Sequence, residues 1–190
     1  SSLAVNLYTA TNVVVLGMLT NNVIVGYYSA ADKLITCVRR GIYAVSDAIY
    51  PFISKMMRDD IPKGLQFIKK QLFLYLIVGL VGCTSLFFFS DTIVRLLFGA
   101  DYDLTVDVLR ILSFVPLAVA ISTVFGEETM LPLNMNSAYS RTLVLGAFFS
   151  LISIFPLCYL WGAKGVAITM LLTEFLIMSI MGGLLRKQLF

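Results

Sequence analysis

Two adjacent arginines, Arg39 and Arg40, stand inside a long apolar stretch, together with Asp32, Lys33 and Asp47. A charged side chain at the centre of a bilayer costs about 2.5–3.5 kcal/mol on insertion scales, so such charges face protein or water and mark functional sites. A guanidinium group pairs with a phosphate through two parallel hydrogen bonds. The sequence therefore predicts a site for an anion such as a phosphate or diphosphate, with Arg39, Arg40 and Lys33 as its cations.

On a helix over residues 32–50, the polar side chains follow one stripe because they recur every three or four residues. The stripe holds Asp32, Thr36, Arg39, Tyr43, Asp47 and Tyr50. Lys33 and Arg40 lie beside the stripe, and the opposite side of the helix is apolar. We expect the polar side to face protein or water rather than lipid.

The helix cannot neutralise its own arginines, because no carboxylate lies three or four residues from either of them. One alternative is an ion pair with another helix. Glu174 is the best candidate for this pair, with Glu127 and Glu128 nearer the predicted cytoplasmic side. The other alternative is an anionic ligand in a water-filled cavity.

The first apolar stretch carries a second, uncharged polar stripe. It consists of Ser2, Asn6, Thr9 and Asn12. Hydroxyl and amide groups at this depth either bind a sugar or hold two helices together. The sequence leaves both alternatives open.

Composition places the chain among membrane proteins. Of its 190 residues, 59% are hydrophobic and 13% are charged, whereas about a quarter of the residues in soluble domains are charged. Histidine is absent, and the three cysteines lie in apolar stretches. We therefore expect no metal centre, no disulfide and no cofactor other than a transported ion.

The elements that must position these side chains are apolar stretches of about the 20 residues that cross a bilayer. Six are predicted, at residues 3–19, 25–56, 66–89, 104–130, 141–160 and 166–185. A short amphipathic piece within residues 90–103 joins the third to the fourth, and WGAKG, residues 161–165, is a tight turn. We predict an all-α membrane protein with six transmembrane helices. Its internal Gly and Pro residues are either tolerated by the membrane or serve as bending points.

Most cations lie in the even-numbered connections or at the C-terminus. They are Lys55, Arg58, Lys63, Lys69, Lys70, Arg141, Arg186 and Lys187. Positive charge marks the cytoplasmic side, so the loop at residues 55–64 and the C-terminus are expected there. The chain does not begin with Met and has almost no flank before its first apolar stretch. We expect residues 1–190 to be the C-terminal lobe of a longer protein whose N-terminal lobe is absent.

Three segments resemble the Wzx-type polysaccharide flippases of the multidrug/oligosaccharidyl-lipid/polysaccharide exporter superfamily. They are VGYYSAADKLI with SDAIYPFISKM, IVRLLFGADYDLTVDVLRILSFVPL, and LPLNMNSAYSRTLVLGA with WGAKGVAITMLLTE. The resemblance covers essentially the whole chain. It implies twelve helices in two lobes of six around a central cationic cavity, with both termini in the cytoplasm. The acidic segment GEETM, residues 126–130, departs from the family pattern, so no role is carried onto it.

The resemblance implies a transporter, not an enzyme. It would flip undecaprenyl-diphosphate-linked oligosaccharides across the bacterial inner membrane, for O-antigen or another surface polysaccharide, by alternating access. Its partners would be the lipid-linked cargo, the bilayer, the other lobe and other polysaccharide assembly proteins. Asp32, Asp47 and Glu174 are candidates for coupling transport to a proton or Na⁺, because ionisable groups at the midplane often do so.

Other functions are compatible with parts of the sequence. A flippase for lipid-linked peptidoglycan precursors would use the same chemistry. A drug/cation antiporter of the same superfamily is disfavoured, because paired arginines repel cationic drugs. A membrane polysaccharide polymerase would need an acidic dyad or a nucleophile motif, and none stands out. A scaffold without transport activity would leave the arginines unexplained unless carboxylates such as Glu174 pair with them.

Overall fold

The computed structural model describes residues 2–99 and 101–189, with the backbone alone at residues 2–10 and 187–189. These residues form helices, and no strand occurs among them. The elements are α1 (Ser2–Leu19), α2 (Asn22–Asp59), α3 (Ile61–Phe98), α4 (Asp103–Leu112), α5 (Val115–Thr123), a π-helical segment (Val124–Met130) and α6 (Asn136–Leu189). The predicted all-α class is confirmed.

The second and third helices are longer than predicted, and only Asp60 separates them. The Asp60 side chain accepts a hydrogen bond from the Lys63 backbone N–H at 3.1 Å, and Pro62 occupies the first turn of α3. Both features favour a helix start. The charged segment at residues 55–64, predicted as a loop, is therefore almost entirely helical.

Two other boundaries differ from the prediction. The amphipathic piece after residue 89 continues α3 as far as Phe98, and Gly99 follows with a φ of 99°. The fourth apolar stretch is interrupted at residues 113–114, immediately before Pro116 in the first turn of α5. Proline has no N–H to continue the hydrogen bonding of a preceding helix, which accounts for a break at this point.

Helix α6 consists of two antiparallel segments joined at Gly162. Gly162 has a φ of 54° and a ψ of −130°, a conformation that side chains other than hydrogen rarely adopt. Gly146 packs against Ile177 across the two segments, and Gly165 packs against the Leu157 backbone beside the turn. The tight turn predicted at residues 161–165 is confirmed.

Among the described residues, three helical segments are long and apolar enough to cross a membrane. They are Ile61–Phe98, Asp103–Met130 and Asn136–Arg186. Their number and apolar length support a multi-pass membrane protein. Helix α2 is just as long as α3, at 38 residues, but its apolar stretch contains the charged residues that form the candidate site.

Two apolar clusters hold the helices around α2. The first centres on Leu16, Tyr28, Ile35, Leu109 and Met170. The second centres on Ile53, Ile68, Met130, Ile177 and Met181. Because each cluster contains residues of α2 and α6, the stretch of α2 between Ile35 and Ile53 is held at both ends, and this stretch carries the arginines.

Candidate functional site

Helix α2 directs its two arginines to different surroundings. Arg39 is 6% exposed, whereas Arg40 is exposed. Successive residues of an α-helix are rotated by about 100° around its axis, so Arg40 points away from the neighbours that bury Arg39. The two side chains therefore cannot be treated as one site.

Arg39 forms an ion pair with Glu174 of α6. Its Nη2 lies 3.3 Å from Glu174 Oε1, and both side chains are more than nine-tenths buried. The same Nη2 donates to the Tyr43 hydroxyl at 3.5 Å. Of the two alternatives for the counter-charge of Arg39, the structure shows the pair with another helix. A contact between Arg39 and a cargo stays a prediction.

Other polar groups of the predicted stripe line the same inner side of α2. Asp32 is half-buried and interacts electrostatically with Arg39, and buried Tyr28 lies within electrostatic reach of Asp32. Thr36 is half-buried. Most of the stripe therefore faces protein. Protein is one of the two environments, protein or water, that the sequence predicted for it.

A second polar face of α2 points outward. Lys33, Arg40 and Asp47 recur every seven residues and are all exposed. Within residues 2–99 and 101–189, neither Lys33 nor Arg40 makes an ion pair or a hydrogen bond with another side chain. Asp47 interacts electrostatically with Glu127. Cys37 is exposed and lies one turn from Arg40 on this side of the helix. This face thus offers two available cations.

Two cavities adjoin α2. Lys33 lines one of about 450 Å³ together with Tyr27, Ser29 and Tyr102. The other, of about 470 Å³, is almost wholly apolar, lies between α2, α3 and α5, and includes Val38 and Val45 in its wall. The cavity at Lys33 is the more polar of the two, and it lies at the end of α2 nearest α1.

The uncharged stripe of the first helix is described only in part. The side chains of Asn6 and Thr9 lie outside the described residues. Asn12 is 1% exposed, and its amide N and O have no hydrogen-bond partner among the described residues. Its role in sugar binding or in helix association stays a prediction.

Sequence reasoning gave no function to a second buried carboxyl group, Glu128. Glu128 accepts hydrogen bonds from Ser46 Oγ at 2.7 Å and from Gln71 Nε2 at 2.6 Å. A signal was present in the sequence, because Glu127 and Glu128 interrupt one apolar stretch and Gln71 interrupts another. Their meeting depends on helix packing, which residue spacing does not reveal.

The carboxyl groups of Glu127 and Glu128 lie in the π-helical segment. Hydrogen bonds five residues apart define it, such as the one from the Leu131 N–H to the Gly126 carbonyl at 3.1 Å. A side chain at Gly126 would collide with Tyr139 of α6, so close approach of α6 requires glycine there. Single turns of π-helix occur frequently at functional sites.

Comparison with known proteins identifies the relatives of this chain. Residues 1–57, which contain α1 and nearly all of α2, match the polysaccharide biosynthesis protein family. A protein of Escherichia coli K12 is 33% identical over 99% of the chain, and one of Shigella dysenteriae is 29% identical over 94%. Both carry the name "Putative O-antigen transporter". The chain is similar to both of these proteins. The predicted resemblance to polysaccharide flippases is confirmed.

The similarity to the O-antigen transporters is confined to part of their length. The chain spans 45% of the E. coli relative and 44% of the S. dysenteriae relative. No solved structure matches the chain significantly. The family match includes Arg39, Arg40 and Lys33, so both polar faces of α2 lie within the part of the chain that it covers.

Proposed function

We propose that the chain is one lobe of a transporter that flips an undecaprenyl-diphosphate-linked oligosaccharide across the bacterial inner membrane. The observation that supports this most is the outward face of α2. On this face, within the segment that matches the polysaccharide family, Lys33 and Arg40 form no ion pair with any described residue. A diphosphate is the anion that such a face suits, because guanidinium and ammonium groups bind phosphate oxygens.

The outward face would line a cavity shared with a second lobe. In this proposal the described helices form six membrane-spanning segments, with α4, α5 and the π-helical segment counted as one and the two halves of α6 counted separately. The second lobe supplies six more. Exposure of the Arg40 charge to lipid is energetically unfavourable, whereas water and an anion stabilise it. The concentration of cations in the even-numbered connections supports a cytoplasmic C-terminus.

The inner and outer arginines would have separate roles. Arg40, with Lys33, binds the diphosphate in the cavity. Arg39, fixed by Glu174 and Tyr43, holds α2 against α6 so that the outward face keeps its direction. When the two lobes rock between inward and outward openings, the diphosphate and its glycan cross inside the cavity while the lipid tail stays in the bilayer. Asp32 and Asp47 stay candidates for ion coupling.

The test is a substitution of Arg40 in the intact protein, expressed in cells that lack it. We expect Arg40→Ala to lower the amount of surface polysaccharide at least about tenfold, because the variant loses one charge-assisted hydrogen bond to the cargo. The protein should still be found in the membrane at an unchanged level, because Arg40 makes no ion pair or side-chain hydrogen bond with the described residues of the lobe. Normal surface polysaccharide in this variant would contradict the proposal.

The matched control is Arg58→Ala. Arg58 is also an exposed arginine of α2, and its position on the helical wheel is the same, about 27 Å further along the axis. It lies beyond the apolar stretch, at the predicted cytoplasmic end. We expect this variant to retain surface polysaccharide. Loss in both variants would indicate a general need for positive charge on α2, not a cavity site.

Transport of a lipid-linked peptidoglycan precursor is a second candidate, because its diphosphate would bind to the same face. The two functions differ in their cellular consequence. Loss of an O-antigen-type transporter removes a surface glycan from viable cells, whereas loss of a peptidoglycan precursor flippase stops growth. The names of the two relatives favour the first.

A further inference from the structure

Glu128 joins three elements through one carboxyl group. It is fully buried in the π-helical segment. Its Oε1 accepts from Ser46 of α2 at 2.7 Å, and its Oε2 accepts from Gln71 of α3 at 2.6 Å. Both donors are neutral. The cluster of Glu128, Ser46, Gln71 and Tyr75 is called the Glu128 cluster below.

No cation of the described part of the chain pairs with this carboxyl group. Glu127 of the π-helical segment and Tyr75 of α3 lie within electrostatic reach of Glu128. Asp47 of α2 and Tyr139 of α6 interact in turn with Glu127. None of them is a cation, and no lysine or arginine among the described residues forms an ion pair with Glu128. An ionised carboxylate would therefore be held in an apolar span by two neutral donors alone, which is unfavourable.

Two polar atoms beside Glu128 lack partners. Gln71 is 7% exposed, yet its Oε1 accepts no hydrogen bond, and the buried Tyr75 hydroxyl has no partner either. The Tyr75 hydroxyl lies close to the Gln71 amide. A half-turn of the amide exchanges its oxygen and nitrogen without changing its shape. The oxygen would then face Glu128, and the NH₂ group would face Tyr75.

We propose that Glu128 is a proton-binding site whose occupancy reverses the Gln71 amide. A proton taken from water binds one carboxylate oxygen, and the resulting O–H donates to Gln71 Oε1. Gln71 Nε2 then donates to the Tyr75 hydroxyl, and Ser46 continues to donate to the other oxygen of Glu128. In this state all the polar atoms that lack partners in the Glu128 cluster gain one. Release of the proton restores the bond from Nε2 to Glu128.

The distances favour a proton over a metal ion. Ser46 Oγ lies 2.7 Å and Gln71 Nε2 lies 2.6 Å from the carboxylate oxygens, and both distances are hydrogen-bond lengths. The atom that Gln71 presents to the carboxylate is an amide nitrogen, which donates a hydrogen bond and does not coordinate a cation. The inference goes beyond the proposed transport of a lipid-linked glycan, because it concerns a different part of the lobe and its test needs no cargo.

The test is infrared difference spectroscopy of the intact protein in lipid nanodiscs, titrated between about pH 5 and pH 9, the range in which a perturbed carboxyl group changes charge. We expect the C=O stretch of a protonated carboxyl group, shifted in ²H₂O and absent from Glu128→Gln. The matched control, Glu127→Gln, keeps the band. A band that is lost in E127Q and kept in E128Q, or no titrating band at all, overturns the proposal.

The amide reversal has its own variant. Tyr75→Phe removes the acceptor that the reversed Gln71 amide would use, so the protonated state becomes less favourable and the midpoint of the band shifts to lower pH. An unchanged midpoint overturns the reversal. Should E128Q fail to fold, this shift alone decides the question, because Tyr75 is not a hydrogen-bond partner of Glu128 and phenylalanine keeps the ring. Loss of the band on adding NaCl at constant pH would make the Glu128 cluster a sodium site instead.

Discussion

Arg39 and Arg40 are neighbours in the chain but differ in what surrounds them. Arg39 is enclosed by Glu174 and Tyr43, and its charge stabilises the contact between α2 and α6. Arg40 is exposed on a face that also carries Lys33 and Asp47. In the proposed transporter Arg39 is a structural cation and Arg40 a functional one, because only an anion, water or a second protein surface can accommodate the exposed charge.

The ion pair between Arg39 and Glu174 is expected to control the stability of the lobe. Removal of one partner from a buried pair leaves an uncompensated charge and typically costs about 3–5 kcal/mol. We therefore expect Arg39→Met and Glu174→Gln each to lower the free energy of unfolding by roughly this amount. The measurement is denaturant unfolding of the intact protein in detergent micelles.

The double variant, Arg39→Met with Glu174→Gln, serves as the control for this prediction. It removes both charges, so it should be more stable than either single variant. Two results would contradict a buried interhelical ion pair. One is a loss of unfolding free energy in the double variant that equals the sum of the two single losses. The other is a loss below about 1 kcal/mol in each single variant, as is usual at exposed pairs.

The boundaries of the helices depend on a few local signals. Asp60 and Pro62 start α3 almost immediately after α2 ends, and Gly162 divides α6 into two antiparallel segments. The sequence predicts only some of these boundaries. The Gly162 turn was predicted from its flanking apolar stretches. The helical continuation through residues 55–64 is not evident from the sequence, because charged residues with a proline and a glycine are typical of loops as well as of helix ends.

The sequence predicts which residues share each face of α2, but not which face points toward protein. Residue spacing shows which side chains share a side of a helix. It does not show which side faces protein, since a membrane protein places polar groups both against other helices and in water-filled cavities. For this reason the stripe with Arg39 was recognised, but its burial against Glu174 was one of two open alternatives. The contacts of Glu128 with Ser46 and Gln71 required the packing of three elements.

Gly162 is expected to be the position in α6 least tolerant of a side chain. Its φ of 54° with a ψ of −130° is a conformation essentially limited to glycine. Gly162→Ala should therefore lower the free energy of unfolding by about 1–3 kcal/mol. The matched control is Gly183→Ala in the same helix, where an added Cβ has no neighbour within 4 Å. It should be neutral or slightly stabilising, because alanine favours helices. Equal effects at both positions would contradict a turn at Gly162.

At the scale of the whole molecule, the proposal requires the outward face of α2 to meet water. Cys37 is a native probe of this face, since it is exposed while Cys83 and Cys158 are buried. Thiols react with charged, water-soluble reagents as thiolates, which form in water but not in lipid. We expect Cys37 to be labelled much faster than the other two cysteines in the intact protein.

The comparison variant for the labelling experiment is Cys37→Ser, which retains the two buried cysteines. It should show only slow residual labelling. Added diphosphate lipid should slow the labelling of Cys37, because the cargo would cover the neighbouring Arg40. If Cys37 reacted no faster than Cys83 or Cys158, the outward face would be in lipid or in a dry interface, and a water-filled cavity beside α2 would be excluded.

The account depends most on whether Arg40 binds the diphosphate of a lipid-linked oligosaccharide. The direct measurement is the affinity of the intact protein for undecaprenyl-diphosphate-linked oligosaccharide, compared with that of Arg40→Ala and Arg40→Lys. We predict that R40A weakens binding about tenfold or more, and that R40K, which keeps the charge without the bidentate geometry, is intermediate. Binding by R40A with the affinity of the unaltered protein would contradict the account.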